Sequence, residues 1–343
     1  MKKKECEEHA KTTNKSLTLL NAKQTMIQYI VILLDDTSTS FCHYTNTKTD
    51  PKLMPLETLK EGIRYAMKEN LNIQFVYPKY ELPFEYIKAI ESIDHTDIRP
   101  IDVAISSLDH NANVLVFNSL ADTECCNFNK DVTYLIRTDK ASLFGSGNTI
   151  SKIIGKVARL NVVITDVETF SEDDFCRYKE FLSNLSEEIK HLYISGNTSQ
   201  LNLMTDRMML DKMNNCGAGD TTITLAPNGK FYVCPAFYYA KDGYAIGDVE
   251  NGLNIKNKQL YRLDYAPICR KCDAYQCKRC VWLNRKTTLE VNTPSHEQCV
   301  VAHLERNASR RLLTDIRQVG AFLQGKEISI IDYLDPFEIK KTR

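Results

Sequence analysis

Four cysteines in the twelve residues CRKCDAYQCKRC (269–280) constrain this chain more than any other stretch, since no ordinary apolar core calls for thiols at that density. Thiolates are soft ligands, and the groups that take an all-sulfur set are zinc and iron–sulfur clusters. Zinc ribbons separate two C-x2-C knuckles by roughly 15 residues, so that the knuckles face each other. Here the spacer is DAYQ, four residues, and both pairs cannot easily fold back on one tetrahedral ion. Tight runs of this kind suit iron–sulfur loops, in which the last cysteine can ligate a second cluster. Structural zinc is the plainer alternative.

Seven of the twelve cysteines follow residue 215. Thiols in the cytosol stay reduced, so a clustered set there points to metal rather than to disulfides. The N-terminus is consistent with that compartment. Its first 25 residues alternate lysines with glutamates and lack the apolar stretch and cleavage site of a secretory signal. They read as a disordered extension, with Met26 the start of the fold. The longest apolar run, YIVILL, is far too short to cross a bilayer and suits a buried parallel strand. With 44 basic and 44 acidic residues, net charge selects neither nucleic acid nor an anionic membrane as partner. A length of 343 residues accommodates two domains.

Residues 27–200 alternate strand and helix patterns. IQYIVILL, NIQFVYP, NVLVFNS, VTYLIRT and RLNVVIT read as strands. LETLKEGIRYAMKEN and FEYIKAIESI read as helices, the first with Leu56, Leu59, Ile63 and Ala66–Met67 on one face. SEDDFCRYKEFLSNLSEEI is a helix capped by Ser171, and HLYIS follows it as the next segment of the alternation. This order argues for a parallel α/β sheet, open or closed into a partial barrel. Beyond Asn214 the texture changes to a hairpin, TTITLA and KFYVCPA about a turn at Pro227–Asn228–Gly229. From Cys299 an apolar stripe of Val301, Leu304, Ala308, Leu312, Ile316, Val319 and Leu323 marks a docking helix.

The full set of late cysteines is Cys216, then Gly229 and Cys234, then Cys269, Cys272, Cys277 and Cys280, then Cys299. This order resembles the SPASM domain, the auxiliary-cluster module of radical S-adenosylmethionine enzymes that modify peptides. The family pattern is C-x(9–15)-G-x4-C, C-x2-C-x5-C-x3-C and a final C; two middle spacers are one residue short here. The resemblance implies one [4Fe-4S] cluster on Cys269, Cys272, Cys277 and Cys299, and a second on Cys216, Cys234 and Cys280. Leu210 stands where some members carry an eighth cysteine, so the second set lacks a fourth thiolate. Its open iron is left to water, to an anion, to Asp211 or to a thiol of a bound peptide.

Radical S-adenosylmethionine enzymes also need C-x3-C-x2-C after the first strand. In LLDDTSTSFCHY, Cys42 fits the third position, but Asp35 and Thr39 occupy the others. FVYPKYELP, in the place of the family's Gly-Gly-Glu-Pro-like turn, has no glycine. S-adenosylmethionine is therefore not expected as a cofactor. The stretches LLDDTSTSFCHY, MPLETLKEGI, AMKENLNIQFVYP and ESIDHT resemble the CXXX-repeat peptide maturases, associated with small peptides that bear a cysteine every fourth residue.

The expected fold is α/β: a radical-SAM-like partial (β/α) barrel, a small cysteine-rich SPASM iron–sulfur domain and a C-terminal helix. The expected boundaries are 1–25 for the extension, 26–210 for the barrel, 211–300 for the SPASM domain and 301–343 for helix and tail. The expected role is cytoplasmic peptide maturation with a cysteine-repeat precursor as partner, together with a companion modification protein or electron donor. Two alternatives stand beside it: a non-catalytic scaffold that presents the peptide to another enzyme, and a zinc-stabilised interaction module. Cys6, Cys125, Cys126 and Cys176 read as spectator or core thiols. Cys42–His43 is a weak candidate for a nucleophile–base pair. LFGSGN reads as a turn rather than a phosphate loop, and His296 as a loop histidine near Cys299.

Overall fold

Nearly continuous burial along Tyr29–Leu33 (β1) is what a strand covered on both faces requires. The computed structural model describes residues 27–101, 112–124, 126–240, 243–320 and 328. The expected extension, Cys6, Cys125, Leu323 and most of the tail lie outside the described residues. From β1 the chain adds Asn72–Val76 (β2), Thr96–Pro100 (β3), Val114–Phe117 (β4), Thr133–Thr138 (β5), Arg159–Ile164 (β6) and Gln200–Leu201 (β7). Each pairs in parallel with its predecessor. The expected hairpin forms as Thr222–Leu225 (β8) and Phe231–Tyr232 (β9), and β8 joins the sheet parallel to β1. The order is thus β7-β6-β5-β4-β3-β2-β1-β8-β9, a mixed α/β architecture with one large, mostly parallel sheet. It curls enough that β1, β2 and β8 line one interior cavity while β5 and β6 line its neighbour.

Helices cover the outer face. Leu56–Lys68 (α1) buries Leu59, Gly62, Ile63 and Ala66, where each large apolar side chain contributes roughly 1.5–3 kcal/mol, whereas Met67, expected on that face, is exposed because it lies one position past the stripe. Gly62 permits the approach: a Cβ there would meet Leu225 Cδ2 at 2.4 Å. Phe84–Ile90 (α2) follows, and Glu172–Ile194 (α3) starts at a capping box in which Ser171 and Asp174 cap each other. Lys140 Nζ, 2.7 Å from Asp174, holds that carboxyl down at about 2. Thr205–Met209 (α4), Pro235–Tyr239 (α5), Val281–Thr288 (α6) and His296–Val319 (α7) complete the elements used below, and α7 packs along α3.

Four further local expectations change. HLYIS is the last turn of α3, because Tyr193 extends the buried series Leu185, Ile189 at the i+4 helical spacing. LFGSGN is the junction between two short helices, Lys140–Gly145 and Gly147–Ile154. β3 was hidden by Asp97, Arg99 and Pro100, but Arg99 neutralises the buried Asp97 at 2.6 Å. On α7 the buried face is Val301, Ala302, Glu305, Ser309, Leu312, Leu313 and Ile316, and Val319 is 59% exposed.

Candidate metal centres

The tight cysteine run cannot form regular structure, because loops must turn each thiol inward. Cys269 lies on the single turn Cys269–Lys271, and Cys272, Cys277 and Cys299 line the same small pocket with it. Backbone N–H groups point at the sulfurs: Ala274 N lies 3.4 Å from Cys272 Sγ, and Arg279 N 3.4 Å from Cys277 Sγ. Such N–H···S bonds stabilise thiolate charge. His303 Nε2 approaches Cys272 Sγ at 3.6 Å. His296, read from sequence as a loop histidine, instead opens α7 and packs edge-on against Phe175. The missed signal is spacing: His303 follows Cys299 by one helical turn.

Two further side chains organise this loop. Asp273, 1% exposed, takes Arg306 at 2.9 Å, Arg310 at 3.7 Å and Arg207 at 3.8 Å. Arg207 also donates to the Asp273 carbonyl, and its guanidinium lies over the Tyr275 ring at 4.1 Å. Arg279 sits at φ 42°, in the left-handed region that a residue with a long side chain rarely adopts. Buried at 4% exposure, it donates to the carbonyls of Tyr261 and Arg262 and lines both the Cys269 pocket and the neighbouring cavity that Cys216 and Cys280 also reach. A buried cation between thiols favours their charged forms.

Cys216, Cys234 and Cys280 line a separate cavity of about 400 Å³ inside the sheet. Gly217, at φ +63°, folds the Cys216 loop back, and a Cβ there would meet Thr221 Oγ1 at 1.9 Å. Cys280 caps α6, its Sγ accepting from Leu283 N at 3.4 Å. A thiolate there gains from the helix dipole. Burial pushes Cys269 up to about 11, and Cys277 and Cys280 up to about 12. Without metal these thiols stay protonated; a bound cation reverses that. Among the described residues, no three His, Cys, Asp or Glu side chains converge on a point that could hold a single ion. The sulfurs line cavities. The donor chemistry fits iron–sulfur clusters.

The first loop is arranged otherwise than a catalytic triplet. Asp35 is fully buried and accepts from Thr37 N at 2.7 Å and from Tyr80 Oη at 2.8 Å. Both its oxygens are spent on shaping the loop. Thr39 is buried and its amide bonds to the Tyr77 carbonyl. Neither residue lines the interior cavities, whereas Cys42 lines both. The His43 Nδ1–H is committed to Ile164 O at 3.0 Å. Burial, then Cys216 and Cys280, push the Cys42 thiol up, the opposite of an activated nucleophile. Cys126 packs at the core margin and Cys176 is exposed.

Beyond His43 the interior opens into a second cavity of about 340 Å³, lined by Arg159, Asn161, Gln276 and Glu305 among others. Tyr178 Oη donates to Glu305 at 2.8 Å and Gln276 Nε2 at 3.2 Å, while burial raises its carboxyl to about 7.

No protein-family model and no curated protein matches the chain. Solved structures do. Histidine-tagged anSMEcpe with bound AdoMet is 14% identical with a TM-score of 0.60, over 84% of this chain and 96% of that one. Native anSMEcpe with bound AdoMet and Cp18Cys peptide is 14% identical with a TM-score of 0.60, over 85% and 99%. SuiB of Streptococcus suis, bound to precursor peptide SuiA, is 13% identical with a TM-score of 0.44, over 79% and 74%. The chain therefore has the radical-SAM-like fold of anSMEcpe, with its C-terminal helix.

Proposed function

We propose that this chain is a cytoplasmic iron–sulfur protein of ribosomal peptide maturation. It holds two [4Fe-4S] clusters, acts on a peptide with a cysteine every fourth residue, and does not cleave S-adenosylmethionine itself. The observation that carries the reading is the sorting of the seven late cysteines. Cys269, Cys272, Cys277 and Cys299 line one pocket and Cys216, Cys234 and Cys280 another, with Cys277 also reaching a cavity that Cys216 and Cys280 share. The SPASM resemblance implies the same two sets, with 211–300 as that module. When bound, such clusters supply one-electron transfer. The chain's own part is to deprotonate and hold the thiolates, with N–H···S bonds, Arg279 and the α6 terminus compensating their charge. The 340 Å³ cavity beside them offers room for a peptide segment, and anSMEcpe, of the same fold, has been solved with a peptide bound.

Against radical initiation stands the first loop, where Asp35 and Thr39 replace thiolates and both Asp35 carboxylate oxygens are taken by Thr37 and Tyr80. The same observation favours the second reading, a scaffold that presents the peptide to a companion enzyme. AdoMet is bound in anSMEcpe, so the exclusion is tested directly. Anaerobically reconstituted protein is expected to carry roughly eight irons and eight sulfides, with a charge-transfer band at about 400 nm. With a strong reductant and S-adenosylmethionine it is expected to give no 5′-deoxyadenosine above a no-enzyme control. Two zincs without acid-labile sulfide would overturn the cluster assignment. Deoxyadenosine with a third cluster's worth of iron would overturn the exclusion. Product formed only when a partner enzyme is added identifies the scaffold.

A further inference from the structure

The cavity ringed by Cys216, Cys234 and Cys280 has a fourth thiol in its wall, and it comes from the other end of the chain. Cys42 follows β1 and lines that cavity with the other three. Neither Leu210 nor Asp211, the positions nominated from sequence, is part of the wall. We propose that Cys42 is the fourth ligand of this cluster, so that the loop after the first strand closes an auxiliary centre and not a radical one. The proposal rests on the two-cluster reading above.

The loop's position is determined by the fold at three points. Arg137 of β5, 6% exposed, donates to Cys42 O at 3.1 Å and to Tyr44 O at 2.7 Å. His43 Nδ1–H is bonded to Ile164 O at the end of β6. Tyr44 stacks on Tyr239, five residues beyond Cys234, with ring centroids 5.6 Å apart. Backbone and neighbouring rings thus carry the loop, and the Cys42 side chain is left to the cavity. His43 lines the same wall, but its Nδ1–H is held by Ile164 O and the softer thiolate suits an iron–sulfur cluster better. Ligation replaces the S–H bond by S–Fe and releases the proton to solvent.

The consequence is a closed cluster. With four protein thiolates no iron is left to capture a peptide thiol, and the peptide's place moves to the adjoining cavity beyond His43. The test uses the full chain, anaerobically reconstituted, as wild type, Cys42→Ser, His43→Gln and the exposed-thiol control Cys176→Ser. A cubane with one iron lacking a thiolate exchanges small thiols at that iron, and mild oxidation strips it to a three-iron form visible by electron paramagnetic resonance. Wild type, His43→Gln and Cys176→Ser are expected to resist both treatments. Cys42→Ser is expected to lose about one iron of roughly eight and to change its reduced-state spectrum on adding benzenethiol. Roughly eight irons in every variant, with Cys42→Ser spectroscopically unaltered, overturns the Cys42 assignment alone. So does a wild type that itself exchanges thiol, a result that needs no variant to fold. Iron for only one cluster in wild type, or zinc without sulfide, overturns the two-cluster reading and the Cys42 ligand with it.

Discussion

His95 stands between two acceptors: Nδ1 lies 2.8 Å from Ile93 O, and Nε2 lies 3.3 Å from Asp97 Oδ1. A neutral imidazole carries one proton and can satisfy only one of them, so the imidazolium is the form that fits. The hydrogen bond to Asp97 accordingly raises the ring's pKa against the opposing effect of burial. A raised folded-state value means that the stabilisation is fully present below the unfolded value near 6.5 and is lost as pH climbs through the folded one. His95→Gln is therefore expected to remove one partly buried pair's worth of stability, on the order of 1 kcal/mol, below about pH 6.5. It is expected to match wild type at pH 9. Denaturant midpoints of both proteins across pH 5.5–9 measure this, and a difference that stays constant with pH would refute it. At the same scale Arg279 keeps a left-handed backbone without being glycine. Such positions cluster where function over-determines the chain, and this one lies between two sets of thiols.

At the scale of elements, α7 does more than cover α3. Its polar positions Arg306 and Arg310 reach back to Asp273, inside the cysteine run, and Arg207 of α4 reaches the same carboxylate. A helix pattern reveals only which side is apolar, and in the sequence these α7 arginines simply lie off the stripe. It does not reveal what a charged side meets. One buried anion against three cations is a joint whose loss leaves the cations uncompensated, so Asp273→Ala is expected to cost about 3–5 kcal/mol and to lower iron content after reconstitution. Asp273→Asn, which keeps the shape, is expected to lose about as much charge pairing while packing better. Chemical denaturation with parallel iron assay decides this. A loss under about 1 kcal/mol would show that the arginines are satisfied elsewhere.

For the whole molecule, one sheet joins the first strands to the cysteine-rich region, since β8 pairs with β1. The cysteine loops beyond it have little regular structure and few apolar anchors: one small cluster is built on Met213, Ala266 and Cys269. Metal removal is thus expected to act unevenly. Chelation under anaerobic conditions is expected to lower Tm by roughly 5 °C or more and to expose amides of 214–217 and 269–280 to hydrogen exchange, while β4, β5 and α3 keep their protection. Uniform loss of protection would mean that the sheet itself depends on the clusters.

Apolar periodicity made β1, β2, β4, β5, β6, α1, α2 and the start of α3 legible, because a two-residue or 3.6-residue repeat is written in neighbouring positions. β3 was not, since its charged residues are tolerable only beside Arg99 and His95, which pair with Asp97 in space. The division of the late thiols into two sets came from the SPASM resemblance, since no local spacing rule sends Cys280 to a different set from its near neighbour Cys277. Cys42 lies 174 residues before Cys216. No spacing rule spans that distance, and in the sequence it could be aligned only with the third position of a missing triplet. The parallel pairing of β8 with β1 carries the late cysteines to the first loop, and Arg137, His43 and Tyr44 fix that loop against them. The sequence determined which residues have the chemistry to bind metal; which of them share a cavity was decided by a sheet that brings distant segments side by side.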